Sequence, residues 1–123
     1  MTSSFLPIAD VAALETQFGA SHAGPVVLLQ HDPWCGVSTA AYQAMATLPW
    51  PVALVDVARQ PALSRPIAER TGVQHESPQV LVLRDGVAVW FASHRAITTQ
   101  AVAAALRLQP AAMQHARSAG GVP

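Results

Sequence analysis

Residues 25–38 read PVVLLQHDPWCGVS, and this stretch decides the fold. The run Pro25–Gln30 is apolar almost throughout, which is typical of an interior parallel strand, and proline is tolerated at the first position of a strand. A helix is predicted from near Cys35 to about Leu48, because a proline directly follows. Cys35 therefore lies where the carboxyl end of a strand meets the N-terminus of a helix.

The rest of the chain supplies the other elements of one α/β domain. We predict a helix capped by Asp10, a strand over residues 52–57, a helix over 64–71, a hairpin of strands 79–83 and 87–91, and a last helix that begins at Thr98 or Thr99 and ends at Pro110. Strand–helix–strand gives a parallel pair, and the hairpin adds antiparallel strands. The predicted architecture is a thioredoxin-like fold, a four-stranded mixed sheet with helices on both faces.

Length and composition indicate a single folded domain. The chain has 123 residues, of which 51% are hydrophobic and 11% charged. We place the thioredoxin-like domain in residues 1–108. The tail, residues 109–123, has little apolar periodicity and ends in Gly-Gly-Val-Pro, so we expect it to be frayed.

The charge pattern argues against two classes of partner. Seven basic residues, all arginine, balance seven acidic residues, and this neutral chain lacks the basic footprint of a nucleic-acid-binding protein. Attraction to a membrane surface is equally unsupported, and no run of about 18 apolar residues exists. The N-terminus has no signal-peptide pattern and the chain has one cysteine, so we expect a reducing cytoplasm.

Cys35 is the only cysteine and cannot form an internal disulfide. Its thiol can attack a disulfide, hold a thiol adduct, or ligate a metal shared between two chains. A helix N-terminus favours the thiolate that such chemistry requires. The alternative is a buried cysteine that acts as a small apolar residue, but Pro33, Trp34 and Gly36 beside it are not typical of a core.

Other polar residues near this loop have open interpretations. Ser38 stands three residues after Cys35, so its hydroxyl can donate to the thiolate or simply satisfy the first helical turn. His31, His75 and His94 could approach Cys35 in the fold, but no pair has zinc-finger spacing, and we predict no metal site. Likeness to the thioredoxin fold implies that the Ser77–Pro78 bond is cis and lies against the thiol.

Three stretches resemble the monothiol bacilliredoxins, a family of thioredoxin-fold proteins of the bacillithiol system. They are His31–Ser38, Gly72–Val80 and Ser93–Thr98, and the resemblance covers roughly residues 5–108. It implies a monothiol thiol-disulfide oxidoreductase that removes bacillithiol, or a similar low-molecular-weight thiol, from protein mixed disulfides. Bacillithiol would be the co-substrate, with no bound cofactor, and the partners would be bacillithiolated client proteins.

The resemblance also implies a set of site residues. Cys35 and Ser38 would be catalytic, and the substrate would contact six residues around them: Trp34, Gly36, Val37, His75, Ser77 and Pro78. The family commonly has proline directly after the cysteine, whereas this chain has glycine. That departure leaves the role of the thiol intact but affects its redox potential and its choice of partner.

Two other functions remain open. Residues 35–38, Cys-Gly-Val-Ser, differ by one residue from the Cys-Gly-Phe-Ser of monothiol glutaredoxins, which hold a [2Fe–2S] cluster between two subunits. The Gly-Gly-x-Asp segment and the lysine of those proteins are missing here. A third possibility is a non-catalytic adaptor that binds peptides beside Trp34 and Pro78. An adaptor should tolerate Cys35→Ser, and the other two functions should not.

Overall fold

The computed structural model describes residues 4–108, and the predicted C-terminal tail lies outside this range. The elements are β1 (Phe5–Pro7), α1 (Val11–Ala20), β2 (Val26–His31), α2 (Gly36–Ala46), β3 (Val52–Asp56), α3 (Ser64–Thr71), β4 (Gln79–Arg84), β5 (Val87–Ser93) and α4 (Thr99–Ala105). Two 3-10 turns, Pro61–Leu63 and His94–Ala96, precede α3 and follow β5. Every helix and strand that the sequence predicts is present within a few residues of its expected ends.

The sheet has five strands in the order β1-β3-β2-β4-β5, so the prediction of four strands is wrong by one. Strands β1, β3 and β2 are parallel to one another, β4 is antiparallel to β2, and β5 is antiparallel to β4. The additional strand pairs Phe5 with Val52 at the sheet edge. This strand has three residues, too few to show a period-two pattern in the sequence. It ends in Pro7, and proline is tolerated on an edge strand.

Helices cover both faces of the sheet, as predicted. On one face α2 and α4 contribute Met45 and Val102 to a core that also includes Val27 and Val80. On the other face α1 and α3 contribute buried side chains, Phe18 and Ile67 among them, to a second core. Strand β2 is buried on both sides, because Val27, Leu28 and Leu29 are all buried and alternate between the two cores.

Local capping explains where the helices begin and end. The Asp10 carboxylate accepts from the Ala13 amide at 2.8 Å, and the Thr98 hydroxyl accepts from the Ala101 amide at 3.1 Å. Helix α3 ends at Thr71, and its C-cap residue Gly72 has a left-handed φ of 72°, which suits glycine. Helix α4 ends at Ala105, before the predicted stop at Pro110. Among residues 4–108, the helices lack the length and apolar character needed to cross a bilayer.

Candidate functional site

Cys35 is held by backbone hydrogen bonds at the start of α2. It is the N-cap residue, with an extended backbone at φ −114° and ψ 126°. Its amide donates to the Asp32 carbonyl at 3.1 Å, and its carbonyl accepts from the Thr39 amide at 3.0 Å. The Asp32 carboxylate also accepts from the Trp34 amide at 3.0 Å. The loop is therefore fixed on both sides of the thiol, which places the sulfur where the sequence predicts.

The thiol is partly buried and is not used as a cap. Cys35 is the free cysteine of the chain, and its side chain makes no capping hydrogen bond to α2. The first turn of α2 contains no acidic residue. A negative charge on the sulfur would thus meet the positive end of the helix dipole without a competing carboxylate in that turn. The arrangement suits nucleophilic attack by a thiolate.

Ser38 joins the first turn of α2 to the end of β2. It is fully buried, and its hydroxyl oxygen accepts from the Asp32 amide at 2.8 Å and lies 3.0 Å from Nδ1 of His31. Since the oxygen already accepts from an amide, its own proton is free to be donated to the Nδ1 of a neutral imidazole. These contacts make Ser38 a residue that fixes the loop before Cys35. A direct action of Ser38 on the sulfur stays a prediction.

His31 lies in a partly apolar environment that favours its neutral form. Burial lowers the pKa of His31 below its usual range, and this outweighs the opposing effects of Asp56, the hydrogen bond with Ser38, and Asp32. The ring lies 4.9 Å from the ring of Tyr42, centroid to centroid. A neutral imidazole with Nδ1 unprotonated is the form that accepts the Ser38 proton.

The loop before β4 contains the predicted cis proline. The Ser77–Pro78 peptide bond is cis, and Pro78 is buried. The Pro78 carbonyl accepts from the His94 amide at 3.0 Å, which links this loop to the segment after β5. The Ser77 hydroxyl oxygen is buried and has no hydrogen-bond partner within residues 4–108. Two of the stretches that resemble the family, Gly72–Val80 and Ser93–Thr98, are therefore in contact.

A buried chain of amides supports the same loop, and the sequence analysis missed it. Gln30 and Gln79 face each other across β2 and β4, and Gln30 Nε2 donates to Gln79 Oε1 at 2.8 Å. Gln79 Nε2 donates to the Gln74 carbonyl at 2.9 Å. His75 Nδ1 lies 3.1 Å from Gln30 Oε1, so this nitrogen carries the proton. The signal available in the sequence was one glutamine at the end of the first apolar run and one at the start of the other, Gln30 and Gln79.

The predicted substrate contacts divide between exposed and interior positions. Trp34 is 86% exposed, Gly36 is exposed, and Val37 is partly buried at the start of α2. His75, by contrast, points Nδ1 at Gln30 and has a structural contact on that side. A contact between these residues and a substrate stays a prediction.

The three histidines that the sequence analysis singled out have separate partners. His31 contacts Ser38, His75 contacts Gln30, and His94 lies 3.3 Å from the Glu76 carboxylate. Across the described part of the chain, no group of three or more His, Cys, Asp or Glu residues is arranged to hold a metal ion. Cys35 is thus a single thiol at the start of a helix, and its position against Pro78 stays a prediction.

Comparison with solved structures gives the same fold. A candidate oxidoreductase with a thioredoxin fold is 25% identical, with a TM-score of 0.75, and the match covers 82% of this chain and 92% of that one. Thioredoxin NaTrxh from Nicotiana alata is 15% identical with a TM-score of 0.66, over 85% and 90% of the two chains. A variant thioredoxin from Halobacterium salinarum is 16% identical with a TM-score of 0.61, over 89% and 99%.

Comparison with protein families identifies the group within that fold. The model of the monothiol bacilliredoxin BrxC matches residues 6–102, a range that includes Cys35, the cis proline and the segment after β5. The match covers more than half of the 123 residues. The chain therefore belongs to the monothiol bacilliredoxin family, with a thioredoxin-like fold and a thiol redox site.

Proposed function

We propose that this protein removes bacillithiol, or a similar low-molecular-weight thiol, from mixed disulfides on client proteins through Cys35. The observation that carries the proposal is the position of Cys35. It is the N-cap residue of α2, and its partly buried thiol makes no capping hydrogen bond. Membership of the monothiol bacilliredoxin family supports the same chemistry. We place the reaction in the cytoplasm, where thiols are kept reduced.

The reaction is a thiol–disulfide exchange in two steps. The Cys35 thiolate attacks the bacillithiol sulfur of the mixed disulfide, a new S–S bond forms, and the client leaves as a thiolate that takes a proton from water. A second thiol must then attack the adduct and release Cys35, because the chain has no other cysteine. Each exchange conserves electrons, and the second thiol is the reductant of the cycle.

The surroundings of Cys35 supply a surface for the client. We assign substrate contact to the exposed ring of Trp34, to Gly36 and Val37 on α2, and to Ser77 and Pro78 on the opposite loop. An extended client chain can hydrogen-bond to the Ser77 backbone as an added strand would. Ser38 acts through its hydrogen bonds to His31 and Asp32, which fix the loop before Cys35.

The test uses a client protein that carries bacillithiol on one cysteine. Wild-type protein should free the client thiol and gain one bacillithiol, observed by mass spectrometry as an adduct on Cys35. Cys35→Ser should release no client thiol, and wild-type protein alkylated at Cys35 beforehand should behave like this variant. Ser38→Ala should retain measurable release, since the attacking sulfur is still present.

The outcomes separate the candidate functions. Release at the wild-type rate by Cys35→Ser would refute the proposal. Binding of the client by Cys35→Ser, with no adduct on wild-type protein, would instead favour a peptide-binding adaptor. A parallel reaction with a glutathione mixed disulfide on the same client cysteine identifies the small thiol, because a bacillithiol enzyme should release the bacillithiol form faster.

A further inference from the structure

A cavity of about 320 Å³ lies beside the first turns of α2. Gly36, Val37 and Ala40 form its helix wall, and His94, Arg95 and Ile97 form the wall that follows β5. We call this space the α2 groove. Gly36 directly follows Cys35 in the chain, so a small molecule attached to the sulfur has this space within reach. Gly36 and Val37 are already assigned to substrate contact, whereas the opposite wall, formed by His94, Arg95 and Ile97, has so far been assigned no ligand.

The groove carries a cation without an acidic partner. Arg95 is exposed and makes no ion pair with an acidic side chain of residues 4–108. Three other arginines of the described chain, in contrast, pair with acidic residues: Arg59 with Asp56, Arg65 with Glu69 and Arg70 with Glu15. The Arg95 guanidinium is therefore available for a ligand.

The acidic residue that pairs with His94 lines another cavity. Glu76 pairs with His94 at 3.3 Å, but it lines a separate cavity together with Thr71 and Phe91. The lining of the α2 groove contains Arg95 and His94 and no carboxylate. Arginine binds carboxylates in a planar, two-point geometry, which suits a small acid better than an apolar peptide segment.

We propose that the α2 groove selects the small-thiol half of the disulfide by a carboxylate that pairs with Arg95. The inference rests on the proposed function and names its substrate class: low-molecular-weight thiols that carry a carboxylate. In the reaction with a symmetrical disulfide, the Cys35 thiolate forms a bond to one sulfur, the S–S bond of the reagent breaks, and the second half leaves as a thiolate. Arg95 contributes by holding the carboxylate of the half that stays on Cys35.

The experiment compares two reagents of similar size, dithiodiglycolate, which has two carboxylates, and the neutral 2-hydroxyethyl disulfide. The rate constant for adduct formation on Cys35 is measured for each by mass spectrometry, and the ratio of anionic to neutral reagent is the readout. Arg95→Gln should lower this ratio by about twofold to fivefold, the size expected for one solvent-exposed ion pair. Arg95→Lys, which keeps the charge but not the two-point geometry, should lower the ratio less than Arg95→Gln, and Arg95→Glu should lower it further than Arg95→Gln.

Arg107→Gln is the matched control, because Arg107 is also exposed and pairs with no acidic side chain in the described range, but it lies just past α4 and outside the groove lining. Its ratio should equal that of wild type. An unchanged ratio in Arg95→Gln, or an equal decrease in Arg107→Gln, would overturn the inference. The small reagents react with Cys35 itself, so the ratio remains measurable even if the protein does not take bacillithiol from clients.

Discussion

Nδ1 of His31 lies 3.0 Å from the hydroxyl oxygen of Ser38, which connects the last residue of β2 to the third residue of α2. The same hydroxyl accepts from the Asp32 amide. The buried Ser38 hydroxyl thus links both ends of the loop that contains Cys35. Its position three residues after the cysteine follows the Cys-x-x-Ser pattern, and its bonds show what such a serine does for the fold.

Loss of this hydroxyl should destabilise the protein. In Ser38→Ala the Asp32 amide loses its acceptor and His31 loses its partner, so the free energy of unfolding should fall by about 1–3 kcal/mol. Urea denaturation monitored by circular dichroism measures this change. Thr39→Ala is the matched control, because the neighbouring hydroxyl is exposed and bonds only to the Cys35 carbonyl, at 3.2 Å. A decrease no larger than that of the control would contradict the role given to Ser38.

The lowered pKa of His31 should make stability depend on pH. The unfolded histidine titrates near 6.5, whereas the folded one binds its proton only at lower pH. Between these two values the unfolded state holds more protons, so the free energy of unfolding should decrease as pH falls below about 6.5 and be insensitive to His31 above about 7.5. Urea denaturation from pH 7.5 to 5.5 tests this.

His31→Gln is the reference for the pH experiment, since it has no imidazole to protonate. The difference in stability between wild type and this variant should shrink or reverse as the pH is lowered. An NMR titration of His31 should give a midpoint below 6.5, in agreement with the lowered pKa. A midpoint above that value would mean that burial does not dominate.

The buried amide pair should show strong coupling. In Gln30→Leu the Gln79 oxygen and His75 Nδ1 lose their partner, and the protein should lose about 1–3 kcal/mol of stability. Gln79→Leu should cost a similar amount. The double variant removes both polar groups, so its loss should be smaller than the sum of the two single losses by at least about 0.5 kcal/mol. Additive losses in a urea double-mutant cycle would show that the pair is not a unit.

The position after Cys35 should accept the proline that the family commonly has there. Gly36 is the first residue of α2, where proline is favoured, and a side-chain carbon at this position would meet nothing within 4 Å. Cys35 already has the extended backbone that a following proline requires. Gly36→Pro should therefore raise the free energy of unfolding by about 0.4–1 kcal/mol, as measured by urea denaturation.

A second glycine gives the contrast for this test. Gly72 has a φ of 72°, so Gly72→Ala should destabilise the protein although its side chain also finds open space. If Gly36→Pro lost as much stability as Gly72→Ala, the backbone at the start of α2 would have to differ from the one described.

The sequence predicts most of the fold because long apolar runs and helix caps are local signals. Pro25–Gln30 and its following helix could be located without tertiary information, and Asp10 and Thr98 do cap helices. Strand β1 could not be found in this way. Its pairing with Val52 depends on β3, which is more than forty residues further along the chain.

The site was only partly predictable for the same reason. The place of Cys35 follows from one strand, one loop and one helix. The contact between His75 and Gln30, and the pairing of Gln30 with Gln79, span 45 and 49 residues and depend on the register of the sheet. Closeness in the chain is not enough to predict a contact either. The bond between Ser38 and His31 depends on the conformation of the loop between them.

Trp34 has a consequence for how this chemistry can be followed. Its indole is 86% exposed, whereas Trp50 is 38% exposed and Trp90 is partly buried. Because the indole directly precedes the reacting sulfur, an adduct or client chain that covers it changes the polarity around one fluorophore far more than around the other two. The protein thus contains its own optical reporter, and its emission can record each exchange in real time without an added label.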